Sequence, residues 1–573
     1  MFRPAVALLP WSLLTLLAHA GWSAEPVAPP LSPPVLVEAE SCATTGSISE
    51  ASTTLHTPGA EASGRRYVTL PPGATLTLNA PLAASSLVLR CSYPDTAQGG
   101  GEDGVLRLSI AGEMHEVRVT SRFSWEYGKG RFNSPDVWPS DPALGLPRHF
   151  WDETALRFPA VAAGAALTLE NPAAQQRTVL LDCVEWELVP EACPRPAGSL
   201  SFADWRPDNT GVADVTELLQ QALLAAEQKH VALYVPDGTY LIDSVEVRSA
   251  PLQGAGMWRT RFIGPLSRFR FTGATTRLAD FAILGATAVR NDHSDADNGF
   301  AGKPGTGTRI KRVWVEHKKC AFWVAPGGDK SPVDGLTISD CRFRDLMADG
   351  VNLYNGASNC VIERCRVRGT GDDGLACWSP AQRGTPGANN VFRDNTVQCP
   401  WLASGIALYG GGPFTVSGNT ISDTVTTGSG IYVSANFKAW PFAGEIRVTD
   451  NTLLRCGAHE SDAGSPTGAI RVLAWDGDMT DATFIFARNR IIAPVESAIS
   501  IHGPHTVTHL SFDACVAEDL GAAVLVDIRP GAKGEAEFSA MAPAGAIPNA
   551  PLAAGSDPWW RMPADSQFRM LRK

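Results

Sequence analysis

Three carboxylates stand out by type and spacing. Asp349 precedes a glycine in MADGVNLYN, and Asp372 and Asp373 precede another in GTGDDGLACWS. Asp349 and Asp373 are 24 residues apart (373 − 349), and no Lys or Arg lies within three residues of either site. Acids gathered without a neighbouring cation repel one another, so at least one should keep its proton to unusually high pH. Cleaving a glycosidic bond needs such a set: one carboxylic acid to protonate the leaving oxygen and one carboxylate to activate water. Asp-Gly is also a common turn, and hard oxygen ligands can hold calcium, so the spacing alone leaves those readings open.

The elements that must position these acids repeat. Gly-apolar strand starts occur at Gly350-Val351, Gly374-Leu375, Gly405-Ile406 and Gly430-Ile431, with variants at Ala469-Ile470 and Ala498-Ile499. A second strand recurs as ISDCRF, IERCRV, FRDNTV, VSGNTI, VTDNTL and FARNRI. Periods of 20–50 residues indicate a solenoid. Cys341 and Cys365 then fall at equivalent places, as do Asn395, Asn419, Asn451 and Asn489, whose amides can hydrogen-bond from turn to turn. Upstream, Asp214 precedes an amphipathic segment with Val215, Leu218, Leu219, Ala222 and Leu223 apolar and Glu217 at the capping-box position. This helix followed by VPDGTY resembles the start of right-handed parallel β-helices of the pectinase type, where it would cover the open end of the coil.

Strand alternation then sorts the side chains. Val351, Leu353, Leu375, Cys377, Ile406, Leu408, Ile431 and Val433 should point inward. Asn352, Tyr354, Trp378, Tyr409 and Tyr432 should line the outer face with Arg471, Ser500 and His502, and Trp323 should align with Asn352. A stripe of aromatic and polar groups suits a chain-like sugar ligand, although an ordinary solvated sheet face would look similar. Glu316 and His317, one turn before Asp349, are further candidates for sugar contact, and Trp314 suits core or site equally. Asp292, Asp295 and Asp297 in NDHSDADNG are weak calcium candidates, a solvated acidic loop being the plainer reading.

The 573-residue chain carries a formal charge of −11, with 44% hydrophobic and 19% charged residues, which excludes disorder for its bulk and argues against nucleic acid as partner. Residues 1–20 read as a secretory signal peptide ending in Ala18-His19-Ala20, so the mature chain is expected to be secreted, extracellular or periplasmic, with no membrane association. Residues 21–34 form a Pro-rich spacer. Short strands between turns over 35–190 suggest a β-sandwich, and VEAE with LLDCVEWEL resemble carbohydrate-binding modules. The parallel β-helix is expected over 200–540, followed by an uninformative tail at 541–573. The fold class is thus all-β. Twelve cysteines in an exported protein could pair, with no connectivity deducible.

The stretches WVEHKKCAFWV (314–324) and MADGVNLYNGASNCVIERCRVRGTGDDGLACWS (347–379) closely resemble glycoside hydrolase family 87, the α-1,3-glucanases and mycodextranases. That resemblance implies a β-sandwich followed by a right-handed β-helix, and endo-type, inverting hydrolysis of an α-1,3-linked glucan, with the family's acids falling on Asp349, Asp372 and Asp373. Asp349 is the favoured general acid, with Asp372 and Asp373 holding the water; the reverse assignment uses the same three groups. No cofactor is required, structural calcium is allowed, and a monomer acting on a polysaccharide is expected. Polygalacturonases share the spacing of acids, but their Gly-His-Gly and Arg-Ile-Lys elements are replaced here by ALYGGG and GAIRVLA. A lyase or a non-catalytic sugar-binding protein are the remaining alternatives.

Overall fold

The computed structural model describes residues 33–128, 137–138, 140–324, 332–425, 428–459, 465–543 and 559–572. The leader read over 1–20, and all but the last two residues of the spacer, lie outside them.

Alternating apolar residues between turns produce two antiparallel sheets. One contains Val35–Glu38, Ser47–Ile48, Val68–Leu70, Ala84–Ser92, Asp152–Val161 and Val179–Glu187; the other contains Ala43–Thr44, Thr75–Asn79, Asp103–Ile110, Glu113–Thr120 and Ala166–Glu170. Leu76, Leu78, Leu106, Leu108, Leu167 and Leu169 meet Val68, Leu87, Leu89 and Leu181 in the core between them. The outer face of the first sheet is not solvated. Arg90, Glu153, Asp182, Glu185 and Glu187 on it are all buried, because the second domain covers them.

That second domain is a parallel β-helix. One face is a twelve-stranded parallel sheet running from Ser244–Val247 to Trp560–Arg561, while 25 further strands form a second parallel sheet. Val351, Leu375, Ile406, Ile431, Ile470 and Ile499 are in register and stack as one inward column. The helix Thr216–Gln228 buries Leu219, Ala222, Leu223 and Ala226 against the first turns; its N-cap is Val215, one residue later than expected and without a side-chain cap bond, although Asp214 still accepts the Thr216 N–H at 2.7 Å. The asparagine ladder forms: Asn395 donates to Asn419, Asn419 to Asn451 and Asn451 to Asn489 at 2.9–3.0 Å. Asn395 also accepts the N–H of Cys365, which places the cysteine rungs in the same column. All twelve cysteines are free thiols, and all but Cys42 are buried.

The expected tail is not a tail throughout. Trp560–Arg561 and Gln567–Arg572 pair with both sheets of the solenoid, so the β-helix continues past residue 540.

Candidate active site

Asp349 and Asp373 sit at the corner where successive turns enter the twelve-stranded face. Gly350 N–H donates to the carbonyl of Asp373 at 3.1 Å, so the two corners stack directly. Glycine is required after Asp349 because a Cβ on Gly350 would stand 2.2 Å from the carbonyl oxygen of Gly374. The carboxylates therefore converge: an oxygen from each of Asp349, Asp372 and Asp373 lies within 4.8 Å of the others.

Their environments differ. Asp373 is buried, accepting the Ser404 N–H and the Tyr409 hydroxyl at 2.9 Å each. Asp372 accepts from Arg290 at 2.8 Å on one oxygen and from the Asp373 N–H at 3.1 Å on the other. Arg290 is itself fixed by Asp292 at 3.0 Å and by donation to the Gly371 carbonyl at 3.0 Å. Burial pushes the Asp349 carboxyl far above the usual carboxylate range, and the charges of Asp372 and Asp373 push it further. Asp373 is pushed up to about 8 by burial and Asp372. Asp372 is raised by burial, with Arg290 as the main opposing influence. All three carboxyls are thus raised, Asp349 most strongly, while Arg290 opposes the rise at Asp372 more than at its neighbours.

The sequence expectation that no cation stands beside these acids is corrected here. Arg290 belongs to the short strand Arg290–Asn291, which pairs with Val137–Trp138 from the sandwich domain, 82 residues before Asp372 (372 − 290). No local motif announces it.

The acids open into a cleft of about 500 Å³ lined by Trp323, Asn352, Trp378, Tyr409 and Tyr432. Trp323 stands opposite Asn352 in register, as expected. Tyr354 lines no part of the cleft; it packs edge-on against Trp323 and Trp378, with ring centroids 5.4 and 5.3 Å apart. Sequence reasoning missed the rim residues Phe437 and Trp475, 46% and 50% exposed, together with Asn436 and Ser404. Trp475 follows directly after the strand Ile470–Ala474 and Phe437 lies two residues after Ile431–Ala435, so extending the stripe into the next loop would have found them. Asn352 Oδ1, Trp378 Nε1 and Arg471 Nε line this space, buried and without a hydrogen-bond partner.

Glu316 and His317 are elsewhere. His317 Nε2 bonds Asp152 of the sandwich at 2.7 Å, and its ring stacks on Phe123 at 3.8 Å, so both residues lie at the seam between domains. Trp314 packs there too, edge-on against Trp258. Asp292 pairs with Arg290, and Asp295 accepts from Lys319 at 3.2 Å and from Asn298 at 3.3 Å. Burial raises the Asp297 carboxyl against the pull of Lys319. These three acids are not among the convergent ligand groups of the described residues.

Comparison with known proteins accords with this geometry. Residues 33–189 match the family of α-1,3-glucanase catalytic domain D1, and residues 212–492 match that of domain D2. The GH87 α-1,3-glucanase catalytic unit from Streptomyces thermodiastaticus strain HF3-3 is 31% identical, with 94% of this chain and 97% of that one covered and a TM-score of 0.79. The chain belongs to glycoside hydrolase family 87. The Agl-KA catalytic domain is 26% identical over 95% of this chain and 98% of its own, with a TM-score of 0.85. A GH87 α-1,3-glucanase catalytic domain in complex with nigerose, 21% identical over 94% of this chain and 98% of its own, shares the fold with a TM-score of 0.76. No curated protein matches the chain at a significant level. This family-87 chain is a glycoside hydrolase acting on glucan.

Proposed function

We propose that this enzyme is exported and cleaves α-1,3-glucosidic bonds within neutral α-glucan chains, acting as an endo-hydrolase with inversion. The observation that carries the reading is the convergence of Asp349, Asp372 and Asp373 within 4.8 Å, with a single guanidinium among them, beneath an aromatic cleft. Asp349 gives its proton to the glycosidic oxygen as the C1–O bond breaks. A water gripped by Asp372 and Asp373 loses its proton to Asp372 and adds to C1 from the opposite face. Ser404 N–H and Tyr409 hold Asp373 in place for that grip. The step needs no cofactor.

Support for a long neutral substrate comes from the cleft. From Trp323 through Asn352, Ala376, Ala407 and Tyr432 to Arg471, the residues follow one another in strand register, about 24 Å of binding face at the usual strand spacing. Aromatic faces stack on sugar rings, and the unpartnered atoms of Asn352, Trp378 and Arg471 can take hydroxyls. Three acids against Arg290 and Arg471 make a poor seat for a polyanion. Export rests on residues 1–20, and relatives that share the fold were crystallised with nigerose and with tetrasaccharides.

The nearest oxygens of the three acids lie within 4.8 Å of one another, beside carboxyl separations of ~6.5–9.5 Å in most inverting pairs and ~5–5.5 Å in retaining ones. Inversion is favoured because Asp372 and Asp373 both already accept hydrogen bonds that suit them to hold water rather than to attack carbon. Proton NMR of the first anomer released tests this: β-anomeric sugar from an α-glucan supports inversion, and α-anomeric sugar overturns it. Product sizing on a panel of α-glucans tests the rest. Cleavage of polygalacturonate without cleavage of α-1,3-glucan would overturn the substrate, and release of only one product size from chain ends would overturn endo action.

A further inference from the structure

We infer that the seam between sandwich and solenoid binds one divalent transition-metal cation, zinc by its ligand chemistry, through Asp152, His317 and Asp345. One ligand atom from each of these residues lies within 4.8 Å of the others. They come from three separate elements: Asp152 begins a sandwich strand, while His317 and Asp345 belong to successive turns of the solenoid. The site is distinct from the cleft and rests on none of its residues.

The second observation is Asp345 itself. Its side chain is only 1% exposed, and neither carboxylate oxygen has a hydrogen-bond partner. Native proteins rarely leave a buried carboxylate in that state, because an unpaired charge in a dry interior is strongly unfavourable. Glu316 Oε2, alongside, is buried and unpartnered as well. Arg90 opposes through space the rise that burial causes at Asp345, and Arg344 the rise at Glu316, but their ion pairs are made with other acids. Arg344 and Arg368 are taken by Glu185 at 3.2 and 3.1 Å and by Glu153, while Arg90 is held by Asp182 and Glu61. Among the described residues, the basic group within ion-pair distance of Asp152 and Glu316 is the His317 imidazole.

The backbone is shaped around this group. Asp345 is held at φ +44°, and the residue stacked on it one turn later is Gly369, where a Cβ would stand 2.6 Å from Asp345 Oδ1. A non-glycine residue kept in the left-handed region marks a conformation imposed by its surroundings. His317 is oriented in the same way. Phe123 stacks on its ring, Nδ1 faces Glu316 Oε1 at 3.7 Å, and Nε2 points at Asp152. Glu316 stands behind the far ring nitrogen, where a closer approach would hold Nδ1–H and leave Nε2 to the metal once its bond to Asp152 is given up. One imidazole with two carboxylates suits zinc better than calcium or magnesium, which prefer all-oxygen cages. Binding replaces the proton now shared between Nε2 and Asp152, and that proton leaves to solvent. A cavity of about 530 Å³ bordered by Asp152, Glu316 and His317 provides the way in. Because the ligands come from both domains, the ion would tie them together and stabilise only the docked state.

The test uses the full chain. Protein stripped with EDTA is incubated with zinc chloride, freed of excess metal by gel filtration, and assayed for metal and melting temperature. The expected result is about one zinc per chain and a melting temperature several degrees higher than in the stripped protein. Asp345→Asn and His317→Gln should abolish both. Asp349→Asn and Cys183→Ser, which alter the two other convergent ligand groups, should keep them. Cobalt(II) loaded in place of zinc should give visible absorption bands that His317→Gln removes. The wild-type stoichiometry alone can overturn the inference, since a chain that retains no zinc has no such site, whatever the variants do. Zinc that survives Asp345→Asn but leaves with Asp349→Asn would place the metal in the cleft instead. An Asp345→Asn protein that melts above wild type, with neither responding to zinc, would make Asp345 a neutral carboxylic acid.

Discussion

The catalytic cleft and the domain seam both bury carboxylates, and they differ in how those charges are met. At the seam, Glu187 accepts from Arg342 at 2.7 Å, Glu185 meets Arg344 and Arg368, and Glu153 meets the same two guanidinium groups. There burial alone would raise Glu185, but the arginines hold it well below the usual carboxylate range. In the cleft, Arg290 is bonded to Asp372 and Arg471 lies further along the face, and all three carboxyls are shifted upward. Around Glu153, Glu185 and Glu187 the arginines balance the seam, whereas in the cleft, as beside them at Glu316 and Asp345, burial outweighs the cations and the carboxyls hold their protons to higher pH.

Substitutions can break this comparison. The largest expected effect is on catalysis: Asp372→Asn should lower kcat on α-glucan by about 10²–10⁴-fold while circular dichroism stays unchanged, since an acid–base role of this kind supplies that much. A loss below tenfold would remove Asp372 from the chemistry. Next comes the seam. Arg368→Ala leaves Glu153 and Glu185 buried with less compensation and should cost about 3–5 kcal/mol in urea unfolding. A cost near that of a surface pair would mean the seam is wetter than its burial implies.

Arg290→Met sharpens the contrast from the other side. The guanidinium favours the ionised form of Asp372, so its removal should raise that carboxyl further. The acidic limb of the pH–rate profile, which requires ionised Asp372, should then move to higher pH, and activity at low pH should fall. An unmoved limb would show that Arg290 only holds the loop.

The smallest effect is on stability. Asp349 titrates higher in the folded chain than in the unfolded one, so its proton favours folding below the unfolded value of ~3.9 and that contribution is lost as pH rises towards the folded value. Asp349→Asn cannot ionise. It should therefore be more stable than wild type at pH 8, with the gap closing towards pH 4 in denaturant titrations. A destabilised variant would mean that the charge is favourably solvated.

Much of this was legible in the sequence because a solenoid repeats locally. The 24-residue step from Asp349 to Asp373, the asparagine column and the inward Val351–Leu375–Ile406 column all follow from one period. What was hidden crosses between domains. Arg290 reaches Asp372 through a strand paired with Val137–Trp138, and no periodicity in either segment encodes that pairing. Glu316 and His317 read as sugar contacts because they lie one turn before Asp349; the sandwich covers that face instead, and His317 turns at φ +50° out of the alternation. Periodicity tells which side of a strand faces outward, but not what lies against it.

The central claim is that Asp349 supplies the proton and Asp372 with Asp373 the water. It is tested most directly by assaying Asp349→Asn on both natural α-glucan and an α-glycosyl fluoride, whose leaving group needs no proton. The account predicts that the variant is nearly inactive on glucan yet recovers most of the wild-type rate on the fluoride, while Asp372→Asn fails on both. An Asp349→Asn enzyme equally inactive on the two substrates would contradict it.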